Sequence, residues 1–185
     1  MGKQLILDVL SHKKVDRAPW LPFAGVHAGK LVGYNATEVL TDGDKLLEAL
    51  LEVNKLYKPD GQPVLFDLQI EAEILGCELL WVDDGPPSVK SNPLGQTKEI
   101  PCLCTIPTKD SGRLPMVLDV MRKMKEEVGD TTALYGLVCG PFTLASHLRG
   151  NEIFMDMFDD PDYVNDLLEY ANMAVKAVAE LYIEA

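Results

Sequence analysis

Three kinds of side chain in this 185-residue chain could do chemistry, and each falls where a regular element should end. A buried run, Gln62 to Phe66, lands on Asp67, and Glu71 and Glu73 follow at once. A carboxylate just past the carboxyl end of a barrel strand points into a cleft, where it can accept hydrogen bonds or support a cation. The competing reading makes Asp67 the N-cap of the helical turn that follows, with Glu71 and Glu73 on a solvated face. The second kind follows Cys139-Gly140-Pro141, where a strand over Ala133 to Val138 turns sharply into a helix opening near Phe142-Thr143. His147 and Arg149 come about one and two turns later, either as polar groups at a cleft mouth or as ordinary surface residues. The third kind is the C-x-C pair Cys102 and Cys104 in the run IPCLCTIP. On a strand both thiols would share a face and could meet a soft metal. No second pair and no nearby histidine completes a tetrahedral set, so small buried hydrophobes are the favoured role.

The elements that must position these residues are legible from periodicity. Lys3 to Ser11 has helical apolar spacing, and Ala18 to Val26 (APWLPFAGV) reads as a first strand with prolines near its start. Ala28-Gly29-Lys30 reads as a loop. Asp44 to Tyr57 is an amphipathic helix with Leu46, Leu47, Leu50, Val53 and Tyr57 on one face, ended by Lys58-Pro59. Glu71 to Leu75 is a helical turn closed by Gly76, and Leu79 to Val82 is extended before the turn Asp83 to Pro87. Ser88 to Gly112, rich in Pro, Ser, Thr and Lys, should be a strand pair or excursion over the cleft. Leu114 to Val128 is helical, with Val117, Val120, Met121, Met124 and Val128 in register and Gly129 as C-cap. A short helix, Asn151 to Phe158, precedes a long one entered through Asp160-Pro161. Strands alternating with helices predict a parallel α/β arrangement. About three core strands are countable, whereas a closed (β/α)₈ barrel takes roughly 250 residues.

Composition narrows the function classes. Apolar residues make up 47%, enough for a substantial core in one domain. The formal charge is −12, from 17 Lys+Arg against 29 Asp+Glu, and no basic cluster offsets it, which argues against nucleic acid. No apolar run reaches the roughly 20 residues of a membrane span. The N-terminal MGKQLILDVLSHKK makes a poor signal peptide, so the expected location is the cytoplasm. Four cysteines suit a reducing compartment.

Asp16-Arg17-Ala18-Pro19, Phe66-Asp67 followed by Glu71-Ala72-Glu73 and Leu75-Gly76-Cys77, and above all Gly136 to Leu144 (GLVCGPFTL) resemble the uroporphyrinogen decarboxylase superfamily. That superfamily holds decarboxylases of haem biosynthesis and zinc-dependent methyltransferases of corrinoid metabolism. The resemblance runs in order along nearly the whole chain. It implies the N-terminal half of a (β/α)₈ TIM barrel with an N-terminal helical extension, spanning residues 1–185 and truncated after about the third barrel strand.

The branch is weighed on particular residues. Decarboxylases carry a loop like M-R-Q-A-G-R-Y whose arginines hold substrate carboxylates. The matching run is Gly25-Val26-His27-Ala28-Gly29-Lys30-Leu31, with Val26 and Lys30 at the two arginine positions. Only Arg17, Arg113, Arg122 and Arg149 occur in the chain, poor provision for an octacarboxylate. The resemblance is therefore nearer the methylcobamide:coenzyme M methyltransferases. It implies Asp67 as the catalytic carboxylate and His27, Lys30, Glu71, Phe142 and His147 as substrate-binding residues. In decarboxylases the matching aspartate receives pyrrole N–H groups; in a methyltransferase it would bind substrate or support the metal's surroundings. Corrinoid is implied as methyl donor, carried by a corrinoid protein or met as a small tetrapyrrole. Zinc ligands, a His-x-Cys pair and a later Cys, are expected only in a C-terminal half, leaving no metal site and no turnover in these residues. Two alternatives stay open: a cofactor-free uroporphyrinogen decarboxylase, and a non-catalytic half barrel that binds tetrapyrrole or corrinoid. Open strand edges lead to the expectation of a homo-oligomer or of pairing with the missing barrel half.

Overall fold

The computed structural model describes residues 2–185 and shows helices packed around a short parallel strand pair. In chain order the elements are α1 (Gly2–Leu10), α2 (His27–Val32), α3 (Ala36–Thr41), α4 (Gly43–Tyr57), β1 (Gly61–Pro63), α5 (Ile70–Ile74), β2 (Leu79–Leu80), β3 (Ser88–Val89), a 3₁₀ turn (Leu103–Thr105), α6 (Leu114–Val128), β4 (Ala133–Tyr135), α7 (Pro141–Arg149), α8 (Glu152–Asp159) and α9 (Pro161–Glu184). β1 and β4 are parallel, with Gly61 opposite Ala133 and Pro63 opposite Tyr135, and their sheet is not closed. β2 and β3 form a separate antiparallel pair.

The local signals explain the long helices. Asp42 caps α4 by accepting from the N–H groups of Asp44 and Lys45, and Lys58 ends it in the left-handed region before Pro59. The faces of α4 and α6 that periodicity marked bury Leu46, Leu50 and Val53, then Val117, Val120, Met121 and Met124, with Leu47 and Val128 half-buried and Tyr57, at the end of α4, exposed. Together with α2 and the run Val64 to Phe66 they make one core cluster. α9 buries Val164, Leu167, Ala171 and Val175 against α7 in a second cluster that also contains Cys77, Cys139 and Leu94. The chain is α/β, with its buried residues gathered in two core clusters.

Several expectations fail for identifiable reasons. Ala18 to Val26 is not a ladder strand: Pro19 and Pro22 lack N–H donors, and among the described residues its backbone tie to β1 runs through the Trp20 carbonyl, which accepts from Asp60 N–H at 3.0 Å. Arg17 of the Asp-Arg-Ala-Pro motif forms a two-pronged pair with Asp60 at 2.6 and 2.7 Å, holding that carboxyl down at about 2. Ala28-Gly29-Lys30 is not a loop but the middle of α2, whose Gly29 has Val39 and the Tyr34 carbonyl so close that a side chain there would collide. The excursion 88–112 lies on α7 and α9, with Leu94 N–H donating to the Leu148 carbonyl and Thr105 bonded to Tyr170. Cys102 and Cys104 are exposed on the 3₁₀ turn, not buried on a strand, because Pro101 and Pro107 flank a reversal instead of an extended run.

Candidate functional site

The carboxyl ends of β1 and β4 bring together the groups of greatest chemical interest. Past β1 the backbone stays buried through Phe66 and delivers Asp67, whose side chain is wholly enclosed. Its Oδ1 accepts from Gln69 N–H at 2.8 Å, the turn-capping role, while its Oδ2 is paired with Arg113 at 2.5 Å. Arg113 also holds Glu73 at 2.7 Å, donates to the Leu40 carbonyl at 2.9 Å and lies over the Trp81 ring at 4.9 Å. It precedes α6 directly, an unfavourable place for a cation beside a helix N-terminus, so the carboxylates are what fix it there. Gly112 sets up the approach: it has φ +49°, and an added Cβ would meet Ile74 at 2.8 Å.

Glu71 reaches the other strand. It is buried on the first turn of α5 and accepts a hydrogen bond from the backbone N–H of Cys139 at 3.0 Å, just before Gly140-Pro141. Burial raises its pKa, and the nearby charge of Asp67 raises it further. From α9, Tyr182 lays its ring against Gly136, where a Cβ would meet it at 2.7 Å. Its hydroxyl is buried without a partner and titrates high, first from burial and then from the fields of Glu71 and Asp67. Tyr182 and Gly136 also line a cleft of about 750 Å³, which runs along β4 and is walled mainly by apolar side chains such as Ile6, Leu10 and Ile183.

The remaining expected residues have other neighbours. His27 is exposed, and its Nε2 is 2.9 Å from the Tyr57 hydroxyl. Lys30 makes a solvent-facing pair with Asp84 at 3.2 Å. Phe142 is exposed and sits 6.1 Å from the Phe154 ring. His147 has a buried Nδ1 with no partner among the described residues, and burial lowers its pKa. Its carbonyl accepts from Asn92 at 2.8 Å, tying α7 to the excursion. The structure thus joins Asp67 to Glu71 and adds Arg113 and Tyr182, which sequence reading passed over. The lone arginine at a helix start was the available signal for the first; Tyr182 looked like one more member of an apolar stripe. Among the described residues no three His, Cys, Asp or Glu side chains are grouped to hold a metal ion. No described helix is long and apolar enough to cross a membrane.

The family model for uroporphyrinogen decarboxylase (URO-D) matches residues 1–185. The chain is similar to methylcobamide:CoM methyltransferase MtbA of Methanosarcina acetivorans, 25% identical over 98% of this chain and 55% of that protein. It is similar also to uroporphyrinogen decarboxylase of Nostoc punctiforme, 26% identical over 77% of this chain and 41% of that one. A solved methyltransferase from Methanosarcina mazei shares the fold with a TM-score of 0.83 at 23% identity, over 99% of this chain and 56% of that chain. The chain spans about half the length of these two methyltransferases.

Proposed function

The chain belongs to the uroporphyrinogen decarboxylase family, and from that premise we propose that it is the N-terminal part of a corrinoid-linked methyltransferase barrel, moving a methyl group from a methylcobamide to a thiol. The observation that carries this reading is how Asp67 is held. A decarboxylase aspartate receives pyrrole N–H groups from an open cleft, whereas here the Asp67 side chain is fully enclosed, with Gln69 N–H on one oxygen and Arg113 on the other. A carboxylate fixed in that way supports its neighbours. Lys30, at the position of a clamp arginine, is turned to Asp84 in solvent, which fits the same branch.

In this reading Arg113 holds Asp67 and Glu73 at the strand ends, and Glu71 fixes the Cys139-Gly140-Pro141 turn over which the donor sits. Exposed Phe142 offers apolar surface to a planar macrocycle. Asp67 is the catalytic support, and Glu71, Phe142, His147, His27 and Lys30 contact or orient substrate in the complete site. Methyl transfer forms an S–C bond and breaks the Co–C bond, with its electron pair staying on cobalt. Among the described residues no His, Cys, Asp or Glu side chains group to hold zinc, whose ligands would come from the remaining barrel half. The protein acts in the cytoplasm, and the open edge of β4 is covered by a second copy or by the remaining barrel half.

The test is to mix the protein with methylcobalamin and, separately, with uroporphyrinogen. A shifted methylcobalamin spectrum is expected from the 185 residues without turnover, and methyl thioether formation once a C-terminal barrel half supplies the zinc ligands. Release of carbon dioxide from uroporphyrinogen would establish the decarboxylase instead. Corrinoid binding that never leads to thioether even with that half present would leave a non-catalytic binding module.

A further inference from the structure

The four cysteines divide into two pairs of opposite character. Cys77 and Cys139 are buried, and burial pushes their thiols up to about 11 and about 12. Such thiols hold almost no thiolate near neutral pH and are poor nucleophiles. Cys102 and Cys104 are exposed. The backbone N–H of Cys104 donates to the sulfur of Cys102 at 3.2 Å, and the Cys104 thiol lies next to it in the turn. That contact favours charge on Cys102 and the proton on Cys104, lowering the first thiol and raising the second.

The turn that carries them is anchored. Thr105 N–H donates to the Cys102 carbonyl at 2.9 Å and its hydroxyl to the same oxygen at 2.6 Å. The Thr105 hydroxyl is also 2.6 Å from that of Tyr170, a buried residue of α9. Ile100 and Ile106 pack on the second core cluster from either side. Leu103, between the two cysteines, is 61% exposed, so closing a bond between the sulfurs disturbs no core contact of that side chain.

We propose that Cys102 and Cys104 form a redox-active dithiol that exchanges with low-molecular-weight disulfides of the glutathione class. The Cys102 thiolate attacks one sulfur of the small disulfide, forming a mixed disulfide and releasing one small thiolate. That thiolate takes the proton of Cys104. The resulting Cys104 thiolate attacks the Cys102 sulfur, the Cys102–Cys104 bond forms, and the second small thiolate leaves. The protein loses two electrons and the small disulfide gains two. Cys102 is thus the attacking sulfur and Cys104 the resolving one.

The full chain is incubated with oxidised glutathione, then alkylated and mapped by peptide mass. The expected product is a Cys102–Cys104 disulfide, with Cys77 and Cys139 still reduced. Cys104→Ser should trap a glutathione adduct on Cys102, and in Cys102→Ser adduct formation on Cys104 should be roughly tenfold slower. Both positions are exposed, and circular dichroism of each variant checks that the fold is kept. A wild-type chain that stays fully alkylatable at both positions while a control dithiol peptide oxidises would overturn the proposal. So would disulfides formed only between copies, or equal adduct rates in the two variants.

Discussion

Arg113 and Arg149 solve the same electrostatic problem in two separate clusters, and they leave different residues behind. Arg149 meets Asp156 at 2.6 Å and the Leu94 carbonyl at 2.7 Å, and Lys98 adds a second cation to Asp156 at 2.9 Å. Cations there match the carboxylates, and the Asp156 pKa is lowered, chiefly by Arg149. Arg113 has to serve Asp67 and Glu73 by itself, while Glu71 nearby receives only a backbone N–H and is pushed up by burial. Buried charge alone therefore does not mark a site, since both clusters have it. What sets the Asp67 cluster apart is acidity in excess of its local cations.

The strongest way to break this comparison is to remove each arginine. Arg113→Ala leaves Asp67 enclosed with no cation and should cost about 3–5 kcal/mol in urea unfolding. Arg149→Ala should cost less, because Asp156 keeps Lys98. A larger loss at Arg149 would invert the assignment of the two clusters. Next in size is Gly136→Ala, which forces the Tyr182 ring away from β4 and should cost about 1–3 kcal/mol of thermal stability. The same change at Gly140, where a Cβ meets nothing closer than the Thr143 hydroxyl at 3.9 Å, should be much milder.

A pH series sharpens the contrast because the two carboxyls titrate in opposite senses. Asp156 has a lowered folded pKa, so its stabilisation is present above its ordinary 3.8 and is lost as pH falls through the folded value. Glu71 has a raised one, so the folded state loses stability as pH climbs above its ordinary 4.5 towards the folded value. Glu71→Gln keeps an acceptor for Cys139 N–H and should remove that loss, gaining about 1 kcal/mol at neutral pH with little change near pH 4. Asp156→Asn should instead lose stability at neutral pH. At the small end, Lys30→Ala breaks only a solvent-facing pair and should leave the unfolding midpoint unmoved.

Much of this is legible in the amino-acid sequence. Helices α4, α6 and α9 followed their apolar stripes because each buries a single face, and GLVCGPFTL fixed the strand-to-helix joint that presents Cys139 to Glu71. What escaped was set by long-range partners. Arg113 lies forty-six residues from Asp67, and nothing local says that they meet. The prolines of 18–26 counted as strand punctuation, yet two missing donors prevented the ladder. His27 and Lys30 were assigned from their place in a family loop, and their partners on α2, Tyr57 and Asp84, lie at positions that nothing local announces.

The pairing of β1 with β4 joins segments about seventy residues apart, and everything from α5 through α6 lies inside that loop. Closing it costs backbone entropy before either strand gains its partner. Helices α4, α6 and α9 need only neighbours in sequence to start, so helical signal should recover early in refolding. Burial of Tyr182 against Gly136 must wait for β4 to dock, which puts the candidate site among the last features of the molecule to assemble. A stopped-flow experiment following far-UV dichroism and tyrosine fluorescence together should show the second trailing the first.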